Sequence, residues 1–304
     1  MRKLRYWFLC AVYTMNYGVH AASILYYLEP RRSFDPMEEH TSTNAPNSQI
    51  LVAVMPLYEW YQQDVQFTPG SKHEKRMFAG ALLNLEYDIH DFWFQMTTAL
   101  GKETGKFSLD DKRIKISRSG FDDVLFYMGY NFLSGRAFQV IPFIQGGVPT
   151  RWHTNSREGT DPLVGSGLYS VGPALELSYN WLETPVQSVT SVLQARVLHF
   201  FPRHFKGFRC GTQVYPGNMT DVLCALHYRH TQHHVELGYD LTALTQQKVT
   251  PKDIKNTVVN NIYGDYYYQS ASKLWTVGGG VWGALETDKK YQLVTVWVFG
   301  EFSF

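Results

Sequence analysis

From residue 50 to the last residue, apolar and polar positions alternate with period two, and no stretch beyond residue 21 sustains the 3.6-residue apolar period of a helix. Such alternation sends successive side chains to opposite faces of a strand. The clearest case is LYSVGPALELSYNW. Tyr169, Val171, Pro173, Leu175, Leu177, Tyr179 and Trp181 share one face, while Ser170, Gly172, Ala174, Glu176, Ser178 and Asn180 share the other. One face is apolar with aromatics at both ends, and the other is small or polar. The same reading predicts strands over 50–60, 78–89, 92–101, 123–133, 137–147, 168–181, 189–200, 222–230, 233–243, 259–269, 273–283 and 291–304, twelve in all.

The connections alternate in length. Ile89-His90-Asp91, Ser134-Gly135-Arg136, Glu183-Thr184-Pro185-Val186, Thr231-Gln232 and Ser270-Ala271-Ser272 are short; roughly 61–77, 102–122, 148–167, 201–221 and 244–258 are long, and Ala284 to Lys290 is a short exception among the latter. Short turns on one side and long loops on the other describe an up-and-down membrane barrel. Strands of about ten residues match the ~9–11 that cross a bilayer at a tilt. The predicted fold is therefore all-β: a closed antiparallel up-and-down transmembrane β-barrel of about 12 strands, occupying residues 50–304. A secreted β-sandwich also alternates, but it needs polar outward faces that these aromatic strands do not supply.

Composition narrows the class. Aromatics at 15% together with charged residues at 18% and a mean hydropathy of −0.25 exclude a bundle of membrane helices and suit strands with one greasy and one wet face. The opening MRKLRYWFLCAVYTMNYGVHAAS has basic Arg2, Lys3 and Arg5, an apolar run, and Val19-His20-Ala21 as a small-residue cleavage site, so residues 1–21 read as a secretory signal peptide. Thr14 and Asn16 interrupt the run, which falls short of the ~20 apolar residues of a membrane anchor. Bulky Leu9 before Cys10 argues against a lipoprotein. Residues 22–49 form a periplasmic N-terminal segment, either a disordered lead-in or a plug that sets Arg31 and Arg32 against carboxylates inside the barrel. Removing the leader leaves 25 of the 28 basic residues against 27 acidic ones, and no basic stripe implies a nucleic-acid partner. Two cysteines survive cleavage. In an oxidising compartment Cys210 and Cys224 are expected to form a disulfide across an external loop, unless Cys224 lies inside a strand.

At its end the chain reads YQLVTVWVFGEFSF, with Val296, Val298, Phe302 and Phe304 alternating up to a terminal aromatic and Gly300 departing at one position. Together with the leader and the hairpin pattern, this ending resembles the bacterial outer-membrane β-barrel class across nearly all of the mature sequence, without pointing to a family within it. The resemblance implies residence in the outer membrane, contact with its lipid, and an ending read by the barrel-assembly machinery.

If the apolar face meets lipid, the inward positions include Glu59, Asn84, Glu86, Asp88, Gln95, Glu176, Gln194, Arg196, His227, Arg229, His234, Glu236, Asp240, Asp265 and Glu301. Ionisable groups at membrane depth demand either a hydrated channel or a paired network filling the lumen. The charged members of this list are the expected channel lining. Carboxylates dominate it, so the expected function is a passive channel for small polar solutes with a modest preference for cations. The alternatives are an outer-membrane hydrolase and a non-conducting barrel with adhesive surface loops.

Candidate chemistry is sparse. His227, His230, His233 and His234 crowd one predicted turn with Glu236 nearby, but alternation splits them between the inner face and the turn, and no metal or cofactor is expected. Ser191 with His199 is the sort of pair a lipid hydrolase needs, though no motif supports it. Asp110, Asp111, Asp122, Asp123 and His153 lie in outer segments, where an aspartate-dependent protease would place its groups. The run Gly278-Gly279-Gly280 has no helix after it to bind a phosphate, and marks a bend or a close approach, for instance of the N-terminal segment.

Overall fold

The computed structural model describes residues 48–67, 70–89, 91–109, 112–121, 123–134, 137–150, 169–205, 212–215, 217–244, 247–249, 252–254, 257–272, 274–286 and 290–303. The leader, the segment up to residue 47, Cys210 and the predicted outer groups Asp110, Asp111, Asp122 and His153 lie outside them. In chain order the strands are β1 (Ser48–Phe67), β2 (Gly70–Ile89), β3 (Phe92–Leu109), β4 (Lys112–Phe121), β5 (Val124–Tyr130), β6 (Leu133–Ser134), β7 (Phe138–Val148), β8 (Ser170–Glu183) and β9 (Gln187–Phe200). They continue with β10 (Arg203–Phe205), β11 (Thr212–Tyr215), β12 (Asn218–His230), β13 (His233–Leu244), β14 (Gln247–Val249), β15 (Lys252–Ile254), β16 (Thr257–Gln269), β17 (Trp275–Glu286) and β18 (Lys290–Ser303).

Twelve of these form one antiparallel up-and-down sheet in the order β1, β2, β3, β5, β7, β8, β9, β12, β13, β16, β17 and β18. β18 then pairs with β1, Val52 lying opposite Phe302 and Tyr58 opposite Val296. Each of the twelve thus has a hydrogen-bonded neighbour on both sides. Among the described residues, the short turns over 184–186 and 231–232 fall where the polar breaks predict them. Thr231 takes the left-handed conformation (φ 54°) in the two-residue turn between β12 and β13, and its amide donates to Val186 O of the neighbouring turn at 2.7 Å.

Two predicted long connections are strands instead. β1 and β2 stay paired up to Phe67 opposite Gly70, and β3 stays paired with β4 up to Leu109 opposite Lys112. With 20 residues each, β1 and β2 are about twice as long as the ~9–11 residues a membrane strand needs. β4 takes the far half of β3 and β5 the near half, Phe92 opposite Tyr130. The change of partner follows Gly120, whose φ of 147° suits only glycine. The connections over 201–221 and 244–258 also hold strands: β10, β11, β14 and β15 form a separate four-stranded sheet, with Val214 opposite Val249.

Burial follows the alternation. Along β8, Val171, Leu175 and Tyr179 are exposed while Ser170, Gly172, Ala174 and Ser178 are buried. The two faces keep this sense around the sheet: Leu226, Tyr228, Leu237, Tyr266 and Val281 point outward. Glycines admit aromatic rings from the adjacent strand. A Cβ on Gly129 would come within 2.4 Å of Trp93 Nε1, and one on Gly238 within 2.1 Å of Tyr263 Cε1. The close approach at Gly278 comes from the neighbouring strand within the sheet: a Cβ there would sit 2.4 Å from Tyr267 Cβ and 2.6 Å from Tyr266 O.

Candidate functional site: the ionisable inner face

Most of the charge on the inner face sits on four adjacent strands, β9, β12, β13 and β16. Their register aligns it in rows. Arg196 lies beside Asp221 and Asp221 beside Thr242; Asp240 lies beside Asn261; His227 lies beside Glu236, and Glu236 beside Asp265; Arg229 lies beside His234, and His234 beside Tyr267.

The first two rows make one group. Arg196 Nε is 2.7 Å from Asp221 Oδ2. The Thr242 hydroxyl donates to Asp221 Oδ1 at 2.7 Å and lies 3.4 Å from Asp240 Oδ2. Asn261 Nδ2 donates to Asp240 Oδ2 at 2.9 Å. All five side chains are at most 3% exposed. A buried pair is tolerated only where the remaining lone pairs find donors, and the hydroxyl and amide are placed to provide them.

The other group lies toward the Thr231-Gln232 turn. The Tyr267 hydroxyl is 3.0 Å from His227 Nε2. His234 stacks on the Tyr267 ring at 4.2 Å, its Nδ1 3.4 Å from His227 Nε2. The Tyr263 hydroxyl donates to Glu236 Oε1. All three rings are within 17° of parallel, so their in-plane lone pairs run side by side. That is a stacking arrangement. His230 and His233 sit exposed at the turn, as the alternation requires, with His233 Nδ1 2.7 Å from Tyr266 Oη.

Across the sheet the inner face changes character. β2, β3, β5 and β7 contribute Phe78, Leu82, Trp93, Leu125, Tyr127, Ile141 and Phe143, all buried. Between them lie amides and hydroxyls with two carboxylates, Glu86 and Asp88 of β2: Gln95 Nε2 donates to Glu86 Oε2 at 3.2 Å, Thr97 to Asn84 Oδ1 at 2.7 Å, and Ser178 of β8 to Gln139 Oε1 at 3.3 Å. Glu176 accepts from Gln194 Nε2 at 3.3 Å where β8 meets β9.

Of the residues expected inside, Glu86, Arg196, His227, Arg229, His234, Glu236, Asp240 and Asp265 are buried on the inner face, and Asp88 and Glu176 are half-buried there. Glu59 pairs with Phe78 and Thr295, and Glu301 with Ala53 and Thr276; their side chains lie outside the described ones. Asp221, Thr242 and Asn261 were not among the expected residues. Asp221 is in phase with His227 and Arg229 but falls one residue before the predicted strand 222–230, whereas Thr242 and Asn261 share the inward parity inside theirs.

Cys224 is a free, exposed cysteine in mid-strand, opposite Leu193 and Tyr239. It lies six residues, about 20 Å of strand, from the start of β12; Cys210, its expected disulfide partner, lies outside the described residues. Ser191 and His199 are on the same strand, β9, eight positions or about 26 Å apart. Ser191 accepts from Trp181 Nε1 at 3.0 Å and His199 Nδ1 is 2.8 Å from Asn218 Oδ1, so they form no catalytic pair.

No family model matches the sequence, and no curated protein matches it significantly. Solved structures do. An outer-membrane channel from Pseudomonas putida F1 is similar with a TM-score of 0.62 and 11% identity, over 85% of this chain and 96% of that one. The transport unit of the autotransporter AIDA-I from Escherichia coli is similar with a TM-score of 0.60 and 11% identity, over 96% of this chain and 97% of that one. The chain shares the fold of outer-membrane β-barrel proteins.

Proposed function

We propose that this chain is a bacterial outer-membrane protein whose ring of pairings closes as a transmembrane barrel, and that it passes small polar solutes, cations in preference to anions. The observation that carries this reading is the division of the faces. Outward positions are leucine, valine, tyrosine and phenylalanine, which gain by facing hydrocarbon. Among the described inner-face side chains of the long strands, seven carboxylates stand against two arginines. An excess of one sign in a low-dielectric bore biases entry toward the opposite sign. Twelve strands enclose less space than the sixteen of open porins, which favours small solutes. A refolded sample in a planar bilayer should give discrete conductance steps and, in a KCl gradient, a reversal potential of cation sign. Absence of steps would remove the channel reading. Glu86→Gln and Glu176→Gln should each lower the cation-to-anion ratio, on the order of twofold.

A second reading rests on the same burial. With Arg196, Asp221 and Asp240 held in a closed network, a non-conducting barrel acting through its projecting β1–β2 and β3–β4 hairpins fits the geometry as well. A silent bilayer with intact folded protein selects it.

A further inference from the structure

The inner face is divided lengthwise, and the division bears on what the bore accepts. Around the ring, β3 and β13 are six strands apart in either direction, so in a closed barrel they face each other. On the β13 side stand Glu236, Asp240 and Asp265; on the β3 side Trp93, Tyr127 and Phe143 stand with Glu86 and Asp88 of the adjoining β2. We infer that the bore selects organic cations that carry an apolar face, such as arylalkylammonium ions, over compact hydrophilic cations; the inference rests on the channel reading above.

The physical reasons are complementary. The carboxylates attract an ammonium group, and ring faces attract a cation through their quadrupole while also accepting apolar surface. Trp93 and Phe143 meet with ring centroids 5.7 Å apart, and Tyr127 lies on the strand between theirs. A strongly hydrated ion gains little from ring faces, and to approach them must keep most of its own water. A solute with an apolar side exchanges contact for contact.

One polar group on that wall lacks its complement. Gln145 is 1% exposed, and neither its Oε1 nor its Nε2 has a hydrogen-bond partner among the described residues. It lies between Tyr127 and Gly172 in the register. A buried amide left this way is costly, and an ammonium or hydroxyl at these aromatic rings would meet it.

The test is bi-ionic reversal potentials of the full chain in a planar bilayer, after KCl has established conductance and cation preference. Phenethylammonium chloride is compared with Tris hydrochloride, a compact polar ammonium. The expected permeability ratio is about fivefold in favour of phenethylammonium. In Tyr127→Gln with Phe143→Gln the ratio should fall toward about one while K⁺ over Cl⁻ preference persists. A wild-type ratio at or below one overturns this inference and leaves the channel reading intact. Silence in KCl overturns both. Should the double variant fail to fold, the wild-type ratio alone decides.

Discussion

Arg196 and Asp221 show how the inner face tolerates charge. Each is nearly inaccessible, and their 2.7 Å contact is backed by Thr242 on the carboxylate's other oxygen. Arg196→Met should therefore cost about 3–5 kcal/mol, because it strands a buried carboxylate. The double change R196M/D221L should recover most of that, as read from urea unfolding in lipid vesicles. Equal unfolding midpoints for wild type and the single variant would mean the pair holds nothing together. On the other face, Cys224 should react with a lipid-soluble maleimide and resist a membrane-impermeant one in intact vesicles; rapid labelling by the impermeant reagent would place it in water. Both residues also mark the limit of what alternation conveys. It assigns a face to every position within a strand, so Arg196 and His227 were legible, while Asp221 lay beyond a strand end that polar neighbours obscured. It carries no depth, so a predicted strand over 222–230 does not tell how far Cys224 sits from the membrane surface.

At the scale of strands, glycines opposite aromatics set how closely neighbours approach. Gly238→Val would drive a branched side chain into the Tyr263 ring, and should destabilise the β13–β16 pairing by about 1–3 kcal/mol. Leu237, next in line and outward-facing, tests the lipid contact: Leu237→Arg should cost about 2–4 kcal/mol if it lies near the bilayer midplane. Lipid-vesicle unfolding measures both, and a neutral arginine would place Leu237 outside the hydrocarbon. The twelve-strand count was legible because lipid on one face and polar packing on the other impose period two. The lengths of β1 to β4 were not. Stretches such as YQQDVQFTPGSKHEKR show little alternation, so period two does not mark them as strand. The short strands β10, β11, β14 and β15 leave no mark in the pattern, each being too brief to show a period.

For the whole molecule, the pairing order decides more than the shape. Eleven of the twelve ladders join strands that follow one another along the chain, and the twelfth joins β18 to β1, where Val52 meets Phe302, 250 positions further on. A contact of such separation is entropically the dearest to make and the slowest to form. Until β18 is in place, β1 offers a row of unpaired amides and carbonyls to any extended peptide nearby. The seam is thus a clock as well as a join: local hairpins can accumulate early, but the edge is protected only once the final strand has been delivered. A chain halted before residue 290 should expose that edge permanently, and its fate should be aggregation or degradation rather than a slightly weaker barrel.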